Sequence, residues 1–167
     1  MTLREYINPF IPVINLVYKE KEENTRYKKT KLWFLYKHWF YGFEEFIDTS
    51  KLMYVSTAAK LEYKRLTNRN DLINQTWSEQ PNWDADRSIF NFDHIFTGDM
   101  FVNMINDLWT SNRLSTDNII NLLKHNYRVA WILKTEERKL PRFKRGKTIE
   151  DAIKVYESKG IILEKGF

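Results

Sequence analysis

Cysteine is absent, glycine is scarce and no long apolar run occurs, and each shortage removes a class of protein. Without cysteine there are no disulfides and no thiolate metal sites, so a stapled secreted scaffold has nothing to hold it. No apolar stretch approaches the ~18 residues that a membrane-spanning helix needs. The opening residues, MTLREYINPF, show no basic leader followed by an apolar segment. The expectation is a cytoplasmic protein without a membrane partner. With 5 glycines there is no Gly-rich dinucleotide fingerprint, no phosphate-binding P-loop and no nucleophile elbow. No cofactor is expected, and no catalytic residue or metal ligand is assigned.

What is present is charge and aromatic rings. The 167 residues carry 27 Lys+Arg against 22 Asp+Glu, a formal net charge of +5. Residues 71–107 hold seven acids (Asp71, Glu79, Asp84, Asp86, Asp93, Asp99, Asp107) against Arg87 alone, so this window is −6 and the remainder +11. Basic ends around an acidic middle point to an anionic partner. Between residues 26 and 46, Lys28, Lys29 and Lys31 lead into Trp33, Phe34, Tyr36, Trp39, Phe40, Tyr41, Phe43 and Phe46. Rings beside cations serve base stacking and phosphate contact, and equally serve a core built from large side chains.

A chain of this length fits one domain that buries roughly 70% of its unfolded surface. Pro9 and Pro12 argue against a helix near the start, so 10–18 reads as a β-branched strand. The polar stretch 19–31 reads as a hairpin tip and 43–47 as a short helix. Asp48, Thr49 and Ser50 offer caps for a helix over 51–67. Residues 68–83 form a polar loop and the candidate internal boundary, although Trp77 and Trp83 imply that it packs. Met100, Phe101, Met104, Ile105, Leu108 and Trp109 mark an amphipathic helix. Ser115 or Thr116 caps another, over 117–125. Residues 127–133 (YRVAWIL) are the clearest strand. A short helix over 135–140 ends at Pro141, and Thr148 opens a last helix that stops at Gly160 before a strand at 161–163. The expected fold is a single α+β domain, with a mostly helical second half and a small sheet that includes 127–133. Trp33, Phe40, Leu52, Phe101, Met104, Leu108, Ile120, Leu123, Val129, Trp131 and Ile153 are the expected core.

The densest basic run is Lys134, Arg138, Lys139, Arg142, Lys144, Arg145 and Lys147, with Phe143 as a ring and Gly146 as a flexible joint. Together with Lys28, Lys29 and Lys31 these residues form the candidate nucleic-acid contact, acting through phosphates rather than base edges. The leading expectation is a non-enzymatic accessory protein that binds DNA, RNA or a nucleoprotein complex. A second reading takes the acidic segment 84–99, with aromatic anchors, as the face of an inhibitor or other protein-interaction module.

Three short resemblances accompany these readings. Asp93-His94-Ile95 is similar to the opening of the HNH nucleases, which implies a water-activating histidine and an acid at a metal. Asp84, Asp86 and Asp99 lie near it in sequence. The match covers three residues, without the following proline or flanking cysteine pairs, and a divergent nuclease centred on Asp93 and His94 is the third reading. Glu137-Arg138-Lys139 resembles half of the PD-(D/E)xK nuclease motif but is polar and follows the strand, so it reads as a surface charge cluster. Residues 148–167 look similar to the helix–glycine–strand step of winged-helix proteins, without the full helix-turn-helix spacing.

Overall fold

The computed structural model describes residues 1–19, 42–43, 46–47, 52–141 and 145–166. In chain order the elements are α1 (Leu3–Ile7), α2 (Phe10–Lys19), β1 (Met53–Ser56), α3 (Thr57–Thr67), β2 (Phe90–His94), α4 (Gly98–Thr110), α5 (Thr116–Asn126), β3 (Val129–Leu133), α6 (Lys134–Glu137), α7 (Ile149–Ser158) and β4 (Leu163–Lys165). The fold class is α+β, with helices predominating in the second half around a small sheet. Two compact units are formed, one from Met1–Ile47 with Gly98–Asn126, the other from Asp48–Thr97 with Tyr127–Phe167.

In the helical unit, α1 starts with a capping box. The Glu5 amide donates to the Thr2 hydroxyl at 3.2 Å, and the Thr2 amide to the Glu5 carboxylate at 2.7 Å. The expected strand at 10–18 is a helix, α2. Pro12 is the third residue of that helix, within the first turn, where its missing N–H breaks no intrahelical bond. The β-branched run then buries Ile14, Val17 and Tyr18, a helical spacing, and leaves Leu16 59% exposed. Tyr18 stacks on Trp109 of α4 with centroids 4.8 Å apart. Phe43 meets Tyr6 at 5.7 Å and Phe101 at 5.4 Å, both edge-on. Of the expected stripe on α4, Met100, Phe101 and Ile105 are buried, whereas Met104, Leu108 and Trp109 are half-buried. Ser115 does cap α5, its hydroxyl accepting the Asn118 amide at 3.2 Å.

The second unit holds the sheet, ordered β2-β3-β1-β4. The central pair β1–β3 is parallel, with Met53 opposite Val129 and Val55 opposite Trp131. Both outer strands run antiparallel, β2 against β3 and β4 against β1. The expected helix over 51–67 therefore gives up its first part to β1, whose four residues are all buried. The helix begins after Ser56, which caps it by accepting the Ala59 amide at 3.0 Å. Asn68 closes it in the left-handed region at φ 58°. Strand β2 was not expected, although its sequence FNFDH alternates ring and polar side chains. The polar loop 68–83 lies within this unit and packs through Trp83. The Trp83 ring sits edge-on to Tyr63, Phe90 and Trp131 at 5.1–5.3 Å. Trp131 itself donates its indole N–H to the Gln75 carbonyl at 3.0 Å.

Val129, Trp131, Phe101 and Leu123 are buried as expected, while Leu52, Met104, Leu108, Ile120 and Ile153 are half-buried. Trp33 and Phe40 lie outside the described residues.

Candidate nucleic-acid interface

Strand β3 runs directly into α6, and the junction is locked by a buried carboxylate. Glu136 accepts the Leu133 amide at 2.9 Å and the Ser56 hydroxyl at 2.6 Å. Its backbone carbonyl then accepts the Lys139 amide, and that of Glu137 accepts the Leu140 amide, each at 2.9 Å. Leu140 is buried. This short turn presents Lys134, Arg138 and Lys139 together. Lys134 is half-buried, and Arg138 and Lys139 are exposed, so Glu137-Arg138-Lys139 is a surface charge cluster as its polarity implies.

The chain returns at Arg145, which departs from the expected role. Its guanidinium is not a surface phosphate contact. The side chain retains 9% exposure, and its Nη1 donates to the Asp93 carboxylate at 2.5 Å, the His94 carbonyl at 3.2 Å and the Tyr156 hydroxyl at 2.7 Å. Tyr156 also donates its hydroxyl to Asp93. Burial works against the arginine charge, but the Asp93 carboxylate and the Tyr156 oxygen outweigh it, and the guanidinium is held above its ordinary value. Burial first, then the charge of Asp93, pushes the Tyr156 hydroxyl well above the usual tyrosine range. Asp93 and Tyr156 thus pin Arg145 to β2 and α7.

Gly146 follows at φ +109°, where a Cβ would lie 2.2 Å from the Asp151 side chain, so a larger residue is excluded by both conformation and space. Asp151 accepts the Lys147 amide at 3.2 Å, and that bond holds its carboxyl below the ordinary range. Thr148 caps α7 by accepting the Asp151 amide at 3.1 Å. Lys147 is left exposed at the head of the helix.

Among the described residues, some cations of this unit are ion-paired and others, Lys64, Lys154 and Lys159 among them, are not. Lys60 pairs with Glu164 at 2.8 Å, Arg65 with Glu62 at 2.6 Å, Arg69 with Asp71, and Arg145 with Asp93. Among the described residues, no ion pair engages Lys134, Arg138, Lys139 or Lys147. Lys28, Lys29, Lys31, Arg142, Phe143 and Lys144 lie outside the described residues.

No family model, curated protein or solved structure matches the chain.

Two acids of the acidic middle, Asp84 and Asp93, are spent inside the protein, whereas Glu79, Asp86 and Asp107 are exposed. Asp84, 2% exposed, accepts the amides of Ser88, Ile89 and Phe90 at 2.9–3.1 Å and the Gln80 side chain at 2.8 Å. Gln80 in turn donates to the Phe90 carbonyl at 2.9 Å, so side chains occupy the backbone at one end of edge strand β2 while Arg145 occupies the other. Asp93 is in the anchor already described. His94 stands on β2 with its ring against Phe92 and Tyr127, not in a loop, and the described residues contain no group of three or more acids, histidines or cysteines arranged to hold a metal. The nuclease reading thereby loses its acid to Arg145. At the end of the chain, α7, Gly160 at φ +72° and the edge strand β4 reproduce the expected helix–glycine–strand step.

Sequence reasoning missed the anchor because its members stand 52 and 63 residues apart. No local pattern announces such a pair. An arginine in a basic run reads as one more surface charge until its partner is seen.

Proposed function

We propose that this chain is a nucleic-acid-binding accessory protein that contacts phosphates through Lys134, Arg138, Lys139 and Lys147. The observation that carries the reading is that, among the described residues, no ion pair engages these four cations, three of which, Arg138, Lys139 and Lys147, are exposed. Unpaired cations at the start of a short helix, just after it and just before another supply flexible ammonium and guanidinium donors that displace counterions from a polyanion. Such contacts position a strand without reading its bases. The alternative, an inhibitor presenting acids in place of phosphates, is less well supported, since Asp84 and Asp93 are consumed within the fold.

The test is a polarisation titration of labelled DNA and RNA of unrelated sequences at low salt. Replacing Lys134, Arg138, Lys139 and Lys147 by alanine should weaken every sequence to a similar degree. Unchanged affinity in that variant ends the proposal.

A further inference from the structure

The ring that completes a nucleic-acid site lies in the acidic window, far in sequence from the basic run. Trp77 is 48% exposed, and among the described residues it is the one exposed aromatic side chain. The Arg87 guanidinium lies 3.2 Å from the centre of its ring and also donates to the Trp77 carbonyl at 3.3 Å. Arg87 reaches that position through two successive left-handed residues, Asp86 at φ 57° and Arg87 at φ 50°. Neither is glycine, so this turn holds backbone strain of the kind that persists where a side chain must be aimed. With one face of the indole covered by the cation, its exposure leaves the opposite face to solvent.

This pair adjoins the cations already described. The Ile89 carbonyl, two residues past Arg87, accepts the Lys134 amide at 2.8 Å, and Phe90 pairs with Leu133 across β2 and β3. The start of β2 and the end of β3 therefore bring the backbone beside the Trp77–Arg87 stack to Lys134, the first residue of α6. We infer that Trp77, backed by Arg87, is a base-stacking platform, and that the ligand is single-stranded nucleic acid. The inference rests on the phosphate-contact reading and specifies its ligand. Duplex bases are stacked on one another and offer no free face, whereas an unpaired strand offers a face at each base while its phosphates reach Lys134 and its neighbours. The guanidinium behind the indole adds a cation–π contact and a positive charge at the same place.

The experiment compares a labelled single strand with a duplex of equal length, for the wild type, Trp77→Ala, Trp77→Phe and the fourfold cation variant. Circular dichroism first confirms that each is folded, as the exposure of Trp77 leads one to expect. Single strands should bind the wild type more tightly than duplex. Trp77→Ala should lose roughly five- to hundredfold in affinity for the single strand, the range of one base–aromatic stack, and Trp77→Phe should recover part of it. Strand-induced quenching of tryptophan fluorescence should fall in Trp77→Phe relative to the wild type. If Trp77→Ala binds single strands like the wild type while the cation variant does not, the platform is refuted and the phosphate contacts stand. If the wild type binds neither nucleic acid, both are refuted.

Discussion

Removing Arg145 should reveal whether it is an anchor or a ligand contact, because the two roles predict opposite patterns. Arg145→Met keeps much of the side-chain volume and deletes the charge. It leaves Asp93 buried with a 12% exposed carboxylate whose remaining donor from this cluster is the Tyr156 hydroxyl. Breaking a buried ion pair from one side costs about 3–5 kcal/mol, and the residual exposure of both side chains places this case near 3. For a protein of this size each kcal/mol lowers the melting temperature by ~2–4 °C, so a fall of roughly 6–12 °C is expected. Asp93→Asn should cost a similar amount. The double variant should be less damaging than the sum of the singles by about 1–3 kcal/mol, since removing one charge already removes the pair. Urea unfolding followed by circular dichroism measures all four corners of the cycle. Additivity within about 0.5 kcal/mol would refute the coupling. At a temperature where Arg145→Met remains folded, its affinity for nucleic acid should stay within about threefold of the wild type, less than the loss of a direct charged contact.

Three further outcomes follow from the packing and the titrating groups. Trp131→Ala empties the centre of the sheet, where the ring is fully buried, and should cost ~3–5 kcal/mol by chemical denaturation; Phe101→Ala should do the same to the helical unit. Ser56→Ala removes a helix cap and a donor to buried Glu136 together, and should cost about 2 kcal/mol. Tyr156 has a raised folded-state pKa, so its contribution is complete below the ordinary tyrosine value near 10 and diminishes as pH rises above it. Stability should therefore fall in alkali, and Tyr156→Phe should flatten that fall in a pH series of urea transitions.

The parts legible in the sequence are those whose cause is local. Residues 127–133 bury Val129, Ala130, Trp131 and Ile132 in succession, and that apolar run identified a strand without further information. Thr148 and Gly160 marked the two ends of α7 through capping chemistry alone. The failures have identifiable physical origins. Pro12 breaks a helix only beyond its first turn, and its position relative to the helix start was not evident from the residue itself. β1 is four residues long and abuts a helix, so its pattern merges with that of α3; only pairing with β3 and β4 makes it a strand. Trp77 counted as a sign of packing, yet Arg87 rather than the core covers it. Asp93 and His94 invited a catalytic reading because a local tripeptide carries no information about Arg145, which neutralises the acid from 52 residues away.

The most direct measurement is the salt dependence of single-strand binding by the wild type and by the variant with Lys134, Arg138, Lys139 and Lys147 changed to alanine. Each phosphate contact contributes about 0.7 to the slope of log affinity against log salt for a single strand. Four contacts predict that the variant's slope is shallower by about 3. Parallel slopes in the two proteins, or no binding by the wild type at low salt, would contradict the assignment of these cations to a nucleic-acid interface.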